Sequence, residues 1–592
     1  MFTTRPEIAG TFGTVATTHW IASAVGMAVL ERGGNAFDAA VAAAFTLHLA
    51  EPHLNGPGGD APILLHDARA GTQHVICGQG VAPAAATRDH FAGLGLDLIP
   101  ATGLLPAVVP GAFDAWMRLL RDWGSWEPAE VLAYAIGYAE HGIPIVPRIS
   151  ATIEGVRPLF EAEWTSSAAV FLPGGNVPAP NTLFARPALA ATWRRLLAEA
   201  TGPSREARID AARRAFYRGF VAEAVDRFFR TTEVLDVTGR RHRGLLAGAD
   251  FATWEATVEA PASYDYHGHT VLKCGVWSQG PALLQQLALL RGFEIGAMDP
   301  VGADFVHTVV ECAKLAYADR EGWYGEPRFA DVPLPALLSE AYNAGRRRLV
   351  SGTASLALTP GTIDGRTPVH DYAAAAERVG LLTRAPGAGE PTVARLGVIG
   401  ADTCHIDVID RWGNMVSATP SGGWLQSSPV IPELGFPLGT RGQMFWLQPG
   451  LAASLHPGAR PRTTLSPSMA LRDGKAWMSF GTPGGDQQDQ WQTIFFLRMV
   501  HHNCNIQEAI DLPSFHSEHF TSSFWPRAAR PGKLVIEGRF DDAVLADLLA
   551  RGHRAEKGED WSEGRLSAAR IEDGQLRAGA NPRGMQGYAV GR

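Results

Sequence analysis

The sequence has 592 residues and a net charge of −8, with an isoelectric point near 6.2. This charge balance and the lack of a long basic run argue against a nucleic-acid-binding surface, so we expect small-molecule partners. Hydrophobic residues make up 46% of the chain, which suits a globular protein with a large core.

The N-terminal region lacks the positive start and apolar core of a signal peptide. No apolar run reaches the roughly 18 residues that a membrane span requires. We therefore expect a cytoplasmic protein, or a periplasmic one if a leader was removed, with no membrane partner.

In the first part of the chain, Thr14–Thr17 predicts a strand, and two alanine-rich helices follow over 21–31 and 38–50. The loop Asn55–Asp60 is rich in glycine but lacks the Gly-Lys-Ser/Thr ending of a P-loop. We expect it to form a tight turn that brings backbone close to a cleft. Proline and glycine within Val109–Trp116 indicate the start of another helix.

The middle of the chain, over 160–228, has the pattern of several amphipathic helices. Further along, Glu311 and Lys314 lie three residues apart in a helical segment and are expected to pair. Between 351 and 396 the sequence is rich in Gly, Pro, Thr and Ala, which favours an exposed flexible connection.

A hairpin is predicted after this connection. Cys404, Ile406 and Val408 alternate with His405, Asp407 and Ile409, as in a strand, and Asp410–Asn414 has turn chemistry. Met415–Thr419 is then the returning strand. Thr403 stands at the head of the first strand, and the alternation predicts that Cys404 is a buried strand residue rather than a catalytic thiol.

Five blocks of this sequence resemble the γ-glutamyltransferase family. The block that begins at Thr403 is similar to that family's self-cleavage point, T-[TAC]-H-x-x-V-x-D-x-x-G-N. The other four are Gly33–Ala42, Asn55–Asp60, Glu311–Arg320 and Thr482–Asp486. The resemblance covers nearly the whole chain and implies an α+β fold, the αββα sandwich of the N-terminal-nucleophile hydrolases.

The resemblance also implies processing. Cleavage between Asp402 and Thr403 would give a large subunit, 1–402, whose residues 350–402 form the flexible segment, and a small subunit, 403–592. Thr403 would then carry an α-amine with a pKa of about 7.7 to 8, which can act as the base for its own hydroxyl.

The remaining catalytic roles come from the same family. Ser421 corresponds to the second hydroxyl residue, normally threonine, that hydrogen-bonds the nucleophile, although a serine in a glycine-rich turn is also common. Gly484 and Gly485 match the loop whose backbone amides form the oxyanion hole, a role that glycine allows by letting backbone approach a ligand.

The substrate-binding positions depart from the family. The family's arginine is replaced by Gln79, its two serines by Thr463 and Thr464, and its acidic residue by Trp446, while Gln443 is retained. Without the acidic partner, a bound ammonium would stay unpaired at a cost of several kcal/mol. We therefore expect a free γ-glutamyl head group to bind poorly.

Two nearby features leave alternatives open. Arg441 either turns inward and pairs a carboxylate bidentately or is a solvated surface charge. Trp446 and Phe445 either wall a pocket for an apolar or planar acyl group or belong to the core. The resemblance thus implies an amidohydrolase or acyltransferase, acting on γ-glutamyl compounds or on another small carboxylated or planar acyl amide. The sequence is similar to family members that hydrolyse oxamate or acylated β-lactams.

Competing interpretations are a catalytically inactive binding or scaffold protein, a serine hydrolase using Ser278, and a metal hydrolase. Ser278 misses the first glycine of the G-x-S-x-G elbow. The histidine-rich segments contain no HExxH motif, and the five scattered cysteines show no CxxC spacing. We expect no cofactor, no metal and no disulfide framework, and homo-oligomerisation stays open.

Overall fold

A computed structural model gives the structure of the protein and describes residues 2–383 and 403–592. Its strands are, in chain order, β1 (Ile8–Gly10), β2 (Gly13–Thr17), β3 (Ala61–Asp67), β4 (Thr72–Gly78), β5 (Ile143–Pro144), β6 (Leu183–Phe184), β7 (Val234–Leu235), β8 (Arg241–His242), β9 (Thr257–Glu259), β10 (Ala262–Tyr266), β11 (His269–Lys273), β12 (Ile406–Asp410), β13 (Met415–Ala418), β14 (Ser468–Arg472), β15 (Lys475–Gly481), β16 (Phe515–Ser517), β17 (Lys533–Ile536), β18 (Arg554–Lys557), β19 (Ser567–Glu572), β20 (Gln575–Ala580) and β21 (Tyr588–Gly591).

The α-helices of the same residues are, in chain order, α1 (Trp20–Glu31), α2 (Ala36–Ala50), α3 (Arg88–Gly93), α4 (Ala112–Trp123), α5 (Pro128–His141), α6 (Pro147–Ala162), α7 (Thr165–Phe171), α8 (Pro187–Glu199), α9 (Arg205–Tyr217), α10 (Phe220–Thr231), α11 (Gly248–Ala252), α12 (Pro281–Leu290), α13 (Ala303–Trp323), α14 (Leu334–Leu337), α15 (Glu340–Arg347), α16 (Tyr372–Glu377), α17 (Gln488–His501), α18 (Ile506–Asp511) and α19 (Asp542–Ala550).

Two seven-stranded antiparallel sheets lie face to face. The strand order of the first sheet is β21-β2-β12-β13-β3-β4-β9, and that of the second is β1-β20-β19-β15-β14-β11-β10. Alternate residues of a strand point to opposite faces, so the first sheet has two apolar sides. Val15 and Ile406 pack against helices, whereas Ala16 and Ile409 pack against the second sheet.

Helices cover the outer face of each sheet. Helices α1, α2, α4 and α5 share one core with the first sheet, and α12, α13 and α17 share another with the second. Every residue of α2 is buried, which its many alanines allow because small side chains let helices approach closely. The four layers form the αββα sandwich that the resemblance implied.

The predicted hairpin forms the middle of the first sheet. β12 and β13 pair antiparallel with Ile406 opposite Ala418, and β2 and β3 pair along their outer edges. Both faces of β12 are buried because the second sheet covers its polar side. On that side His405 Nδ1 lies 3.0 Å from Thr419 Oγ1, and Ser567 Oγ donates to Asp407 Oδ2 at 2.9 Å.

Several other elements and contacts that the sequence predicted are present in the structure. Strand β2 and helices α1 and α2 lie where the first segment predicted them, within three residues. The Lys314 ammonium pairs with Glu311 at 2.6 Å. Residues 351–383 of the expected connection are described and include α16, whose Ala375 carbonyl accepts from Ala529 N–H at 2.9 Å. Residues 384–402 lie outside the described residues.

Within the described residues, none of the helices combines the length and apolar character that crossing a membrane requires.

The close approach of the two sheets predicts a sharp glycine requirement. A Cβ at Gly481, the end of β15, would lie 2.2 Å from the His405 ring. Gly481→Ala should therefore lower the free energy of unfolding by about 1–3 kcal/mol through overpacking. The matched control is Gly137→Ala in α5, where a Cβ meets nothing within 4 Å; it should be neutral or stabilising by up to about 1 kcal/mol. Thermal or denaturant unfolding checks both, and equal stability of the two variants would contradict the packing argument.

Candidate active site

Thr403 lies buried at the entrance to the first sheet and is 2% exposed. Its Oγ1 donates a hydrogen bond to Ser421 Oγ at 3.2 Å. The ladder of the hairpin continues past its strands, because Cys404 N–H donates to Pro420 O at 3.0 Å. The pairing that the sequence proposed between Thr403 and Ser421 is thus present. Asp402, on the other side of the expected cleavage point, lies outside the described residues.

The thiol of Cys404, the residue after Thr403, contacts two buried polar side chains. It is fully buried, and its Sγ lies 3.0 Å from Glu51 Oε2 and 3.0 Å from Asn55 Nδ2. The prediction that Cys404 is buried is confirmed, but it lies two residues before β12 rather than within a strand. All five cysteines of the chain are free thiols.

The glycine-rich loop Asn55–Asp60 packs directly on the segment that carries Ser421. Asp60 N–H donates to Ser421 O at 2.7 Å, and Ser421 N–H donates to Asp60 O at 3.0 Å. A Cβ on Gly59 would lie 2.2 Å from Ser421 O, so only glycine permits this approach. The expected tight turn beside the site is confirmed.

Gly484 and Gly485 form a buried turn before α17. Gly484 has φ of +121°, a conformation that only glycine adopts readily. Its carbonyl accepts from the Gln488 side chain, and because C=O and the next N–H of a trans peptide point oppositely, Gly485 N–H points away from Gln488. Neither glycine amide donates a hydrogen bond within the described part of the chain.

Arg441 turns inward and is not a solvated surface charge. Its side chain is 2% exposed, and Nε donates to Asp60 Oδ2 at 3.0 Å. The other Asp60 oxygen accepts from Gln79 Nε2 at 3.3 Å and from Gly80 N–H at 3.5 Å. Gln79 and Arg441 therefore both donate hydrogen bonds to the Asp60 carboxylate.

Burial dominates the electrostatics of this pair. It raises the pKa of Asp60 to about 6, although the Arg441 cation acts in the opposite direction. Burial likewise lowers the pKa of the Arg441 guanidinium, against the attraction of Asp60. Each group thus shifts the pKa of the other toward the charged form, against the effect of burial.

Trp446 and Gln443 lie in a different environment. Trp446 Nε1 donates to Glu321 Oε1 at 2.9 Å, and the Arg527 guanidinium lies 4.0 Å from the ring centroid. Burial raises the pKa of Glu321, but the surrounding arginines outweigh it and lower that pKa to about 2. Gln443 Oε1 accepts from Trp525 N–H at 3.1 Å.

Trp446 also lines an open cavity of about 440 Å³. The other lining residues are Arg88, Asp89, Ala92, Leu96, Asp97, Asp371, Arg378, Leu447, Gln448 and Pro449. Neither Thr403 nor Ser421 contributes to the lining of this cavity.

Thr463 and Thr464 lie on the loop that approaches Gly485. Thr463 O accepts from Gln279 N–H at 2.9 Å, and Gln279 Nε2 donates to Gly485 O at 3.2 Å. Thr464 Oγ1 is buried without a hydrogen-bond partner among the described residues. Gln279 thus connects Thr463 to the glycine turn.

The alternative nucleophile Ser278 is engaged with backbone. Its hydroxyl donates to Gly275 O at 2.9 Å and accepts from Gly280 N–H at 3.1 Å. This is the bonding of a structural turn.

The histidines considered for a metal hydrolase do not converge. His516 Nδ1 pairs with Glu563 at 2.5 Å, and His519 Nδ1 accepts from Gly532 N–H at 2.9 Å. A different trio, His307, Glu311 and His553, has potential ligand atoms within 4.8 Å of one another. Two of its contacts are within the protein: His307 Nδ1 lies 2.8 Å from His553 Nε2, and Lys314 Nζ donates to Glu311 Oε1 at 2.6 Å.

Sequence reasoning missed Asp60 as a site residue. The loop was recognised only for its glycines, although the acid closes it at the point where the backbone meets Ser421. The signal available in the sequence was an acidic residue directly after a pair of glycines. The structure shows that this acid is buried, and carboxylates are seldom buried without a partner.

The fold and this arrangement define the class of protein. A four-layer αββα sandwich with a buried threonine at the head of a central strand is the architecture of the N-terminal-nucleophile hydrolases. The chain belongs to the γ-glutamyltranspeptidase family, whose model, described as Gamma-glutamyltranspeptidase, matches residues 22–591. Members of this family are amidohydrolases or transpeptidases, and the chain is an enzyme of this kind.

Three characterised relatives match almost the whole chain at 30% identity. The Glutathione hydrolase-like YwrD proenzyme of Bacillus subtilis aligns over 594 residues, 99% of each chain. The Acylase ACY 1 proenzyme of a Pseudomonas species aligns over 591 residues, 97% of this chain and 93% of the relative. The Oxamate amidohydrolase proenzyme of Klebsiella pneumoniae aligns over 598 residues, 98% of each.

Two solved structures share the whole fold. The structure of LmbA2991HD is 57% identical with a TM-score of 0.94, and the match covers 100% of both chains. The cephalosporin acylase from Bacillus halodurans is 26% identical with a TM-score of 0.82, covering 100% of this chain and 97% of that one.

The raised pKa of Asp60 predicts a pH-dependent contribution to stability. The folded chain binds this proton more tightly than the unfolded chain, so ionisation lowers the free energy of unfolding as the pH rises from about 4 to about 6. Two pKa units correspond to about 3 kcal/mol. The Asp60→Asn side chain does not titrate. The free energy of unfolding of the wild type, relative to that of this variant, should therefore fall as the pH rises from about 4 to about 6. Denaturation at pH 4, 5, 6 and 7 checks the difference, and parallel profiles would contradict it.

Proposed function

We propose that the protein is a self-processed amidohydrolase or acyltransferase whose nucleophile is Thr403, released as an N-terminus by hydrolysis of the bond after Asp402. The observation that carries the proposal is the buried contact of 3.2 Å between Thr403 Oγ1 and Ser421 Oγ. Proenzyme is part of the name of each of the three relatives, which supports a large subunit, 1–402, and a small subunit, 403–592.

The proposed reaction proceeds through an acyl-enzyme. The Thr403 α-amine takes the hydroxyl proton while Oγ1 attacks the amide carbonyl carbon. The tetrahedral intermediate collapses by breaking the C–N bond, and the leaving amine receives the proton from the α-ammonium. Water, deprotonated by the same α-amine, then attacks the ester, releases the acid and restores Thr403; an amine in place of water gives transfer.

The other proposed roles follow from the contacts of the neighbouring groups. Ser421 orients the Thr403 hydroxyl by accepting its hydrogen bond, and the backbone ladder to Asp60 holds Ser421 in place. Gly484 and Gly485 offer amide donors for the oxyanion, each such donor being worth about 2.7 to 4 kcal/mol.

The acyl group differs from a free γ-glutamyl group. At position 446 the family's acidic residue is replaced by a tryptophan that is itself bonded to Glu321. Glu321 is already paired with Arg462 at 2.9 Å, so it is not available to a substrate ammonium. We infer that the enzyme acts on a small carboxylated or planar acyl amide. Relatives named as oxamate amidohydrolase and as acylase accord with this class.

Processing and turnover should depend on the Thr403 hydroxyl. In denaturing electrophoresis the wild type should give two fragments, with threonine as the first residue of the smaller. Thr403→Ala should stay a single chain and lose more than about a thousandfold in turnover. Thr403→Ser keeps a hydroxyl and should retain both cleavage and measurable turnover.

A second control addresses the adjacent thiol. Cys404→Ser should cleave and turn over substrate, because a hydroxyl can still bond Glu51. Wild-type protein that stays intact and inactive would instead favour the catalytically inactive binding or scaffold protein, and active protein without an N-terminal threonine would refute the mechanism.

A substrate panel tests the acyl preference. Mature enzyme should hydrolyse oxamate or glutaryl anilide with a higher kcat/KM than γ-glutamyl anilide, because Trp446 replaces the family's acidic residue and Glu321 is already paired with Arg462. Rapid turnover of γ-glutamyl anilide alone would refute the preference and leave the Thr403 mechanism intact.

A further inference from the structure

Two buried glutamines hold the carbonyl groups of the glycine turn that precedes α17. Gln488 Nε2 donates a hydrogen bond to Gly484 O. Gln279 Nε2 donates to Gly485 O at 3.2 Å. Both glutamine side chains are fully buried. The peptide groups on the two sides of Gly485 are therefore each held by one side chain.

The two glycines make this support necessary. Gly484 has φ of +121°, and rotation of the peptide group between two glycines meets little steric resistance, because neither residue has a Cβ. Such a rotation would exchange the directions of Gly484 O and Gly485 N–H, and would put a carbonyl oxygen where a donor had been. The hydrogen bond from Gln488 to Gly484 O opposes this rotation.

The opposite end of each glutamine is also held by the protein. Gln488 Oε1 accepts from Ser466 N–H at 3.1 Å. Gln279 Oε1 accepts from Arg320 Nη1 at 3.0 Å, and Arg320 is itself buried and paired with Asp486. Because a backbone N–H and a guanidinium can only donate, both glutamines must direct their NH₂ groups toward the turn.

The segment that leads into the turn lies against the neighbours of the proposed nucleophile. Gly481 packs so closely on His405, two residues after the nucleophile, that a Cβ would lie 2.2 Å from the His405 ring. Pro483 and Leu54 line the same small cavity. Leu54 O accepts from Ser421 Oγ at 3.5 Å. The glycine turn is therefore placed next to the hydroxyl pair by contacts on both sides of it.

We propose that Gln488 and Gln279 are positioning residues that keep the Gly485 N–H directed at the oxyanion, so that removing either donor slows the chemical step and leaves substrate binding unchanged. This inference rests on the proposed roles of Thr403 and of the glycine amides. Each glutamine acts through a backbone carbonyl and does not touch the reacting atoms. Both lie outside the five blocks that resemble the family, so the resemblance assigned them no role.

The experiment uses mature enzyme that has been verified to begin its small subunit at Thr403. Glutaryl anilide and γ-glutamyl anilide are each compared with the thioanilide in which sulfur replaces the carbonyl oxygen. Sulfur is a weaker hydrogen-bond acceptor than oxygen, so the oxyanion donors contribute less to hydrolysis of the thioanilide. The ratio of kcat for the anilide to kcat for the thioanilide therefore reports how well these donors are placed.

The principal variant is Gln488→Glu, which keeps the acceptor for Ser466 N–H and removes the donor to Gly484 O. It should lower kcat and kcat/KM equally, by about 100- to 1,000-fold, the loss for removal of one oxyanion donor. The loss on the thioanilide should be smaller by about tenfold or more. Gln279→Glu removes the donor to Gly485 O, should act in the same direction, and repeats the comparison if Gln488→Glu fails to fold.

The matched control is Gln286→Glu. Gln286 is buried in α12, and its Nε2 donates to Ala282 O at 3.3 Å and to Asp489 O at 3.1 Å, which are both outside the glycine turn. This variant loses the same kind of hydrogen bond and gains the same buried acid. It should change kcat by less than about threefold and leave the ratio of anilide to thioanilide unaltered.

The outcomes separate the inference from the proposed function. Equal losses on anilide and thioanilide in Gln488→Glu, a change confined to KM, or activity equal to that of Gln286→Glu would overturn the positioning role. Wild-type enzyme that hydrolyses neither anilide nor oxamate would instead count against the Thr403 mechanism.

Discussion

The pairing of β12 with β2 and of β13 with β3 is the constraint on which the site depends. It places Ile406 opposite both Thr17 and Ala418, and so brings the residue before β12 and the residue after β13 to the same end of the sheet. Thr403 and Ser421, 18 positions apart, meet there. A slip of one residue would turn every side chain of the strand to the other face and separate the two hydroxyls. The apolar cores on both faces of β12 oppose such a slip, because every residue of this strand is buried.

A second backbone contact connects Ser421 to the buried pair of Asp60 and Arg441. The ladder between Asp60 and Ser421 forms only because the glycines before Asp60 let the two chains touch; a Cβ on Gly58 would lie 2.2 Å from Pro437 O. Asp60 thereby holds Ser421 with its main chain and Arg441 with its side chain. The orientation of Ser421 and that of the Arg441 guanidinium therefore both depend on this loop.

Local sequence pattern was sufficient to predict the secondary-structure elements and insufficient to predict the contacts of Arg441 and Trp446. The hairpin, β2, α1 and α2 follow from short-range alternation, alanine content and turn residues, and the sandwich follows from the resemblance. The direction of Arg441 depends on Asp60, 381 positions away. Trp446 likewise finds its partner Glu321 125 positions away. Such contacts exist only after the loops between the strands have folded against one another, and no periodicity in the chain encodes them.

The interleaving of strands explains how a chain end could serve as a precise catalytic group. A new terminus usually frays, because nothing beyond it supplies hydrogen bonds. Here β12 lies between β2 and β13, and Cys404 N–H is bonded to Pro420 O, so order extends to within one residue of Thr403. Both sheets contain strands from before and after residue 402, among them β2 and β12 in the first sheet and β11 and β14 in the second. Scission at that point would therefore leave the two parts joined by the ladders of both sheets. The freed amine would be held beside the hydroxyl that it must deprotonate.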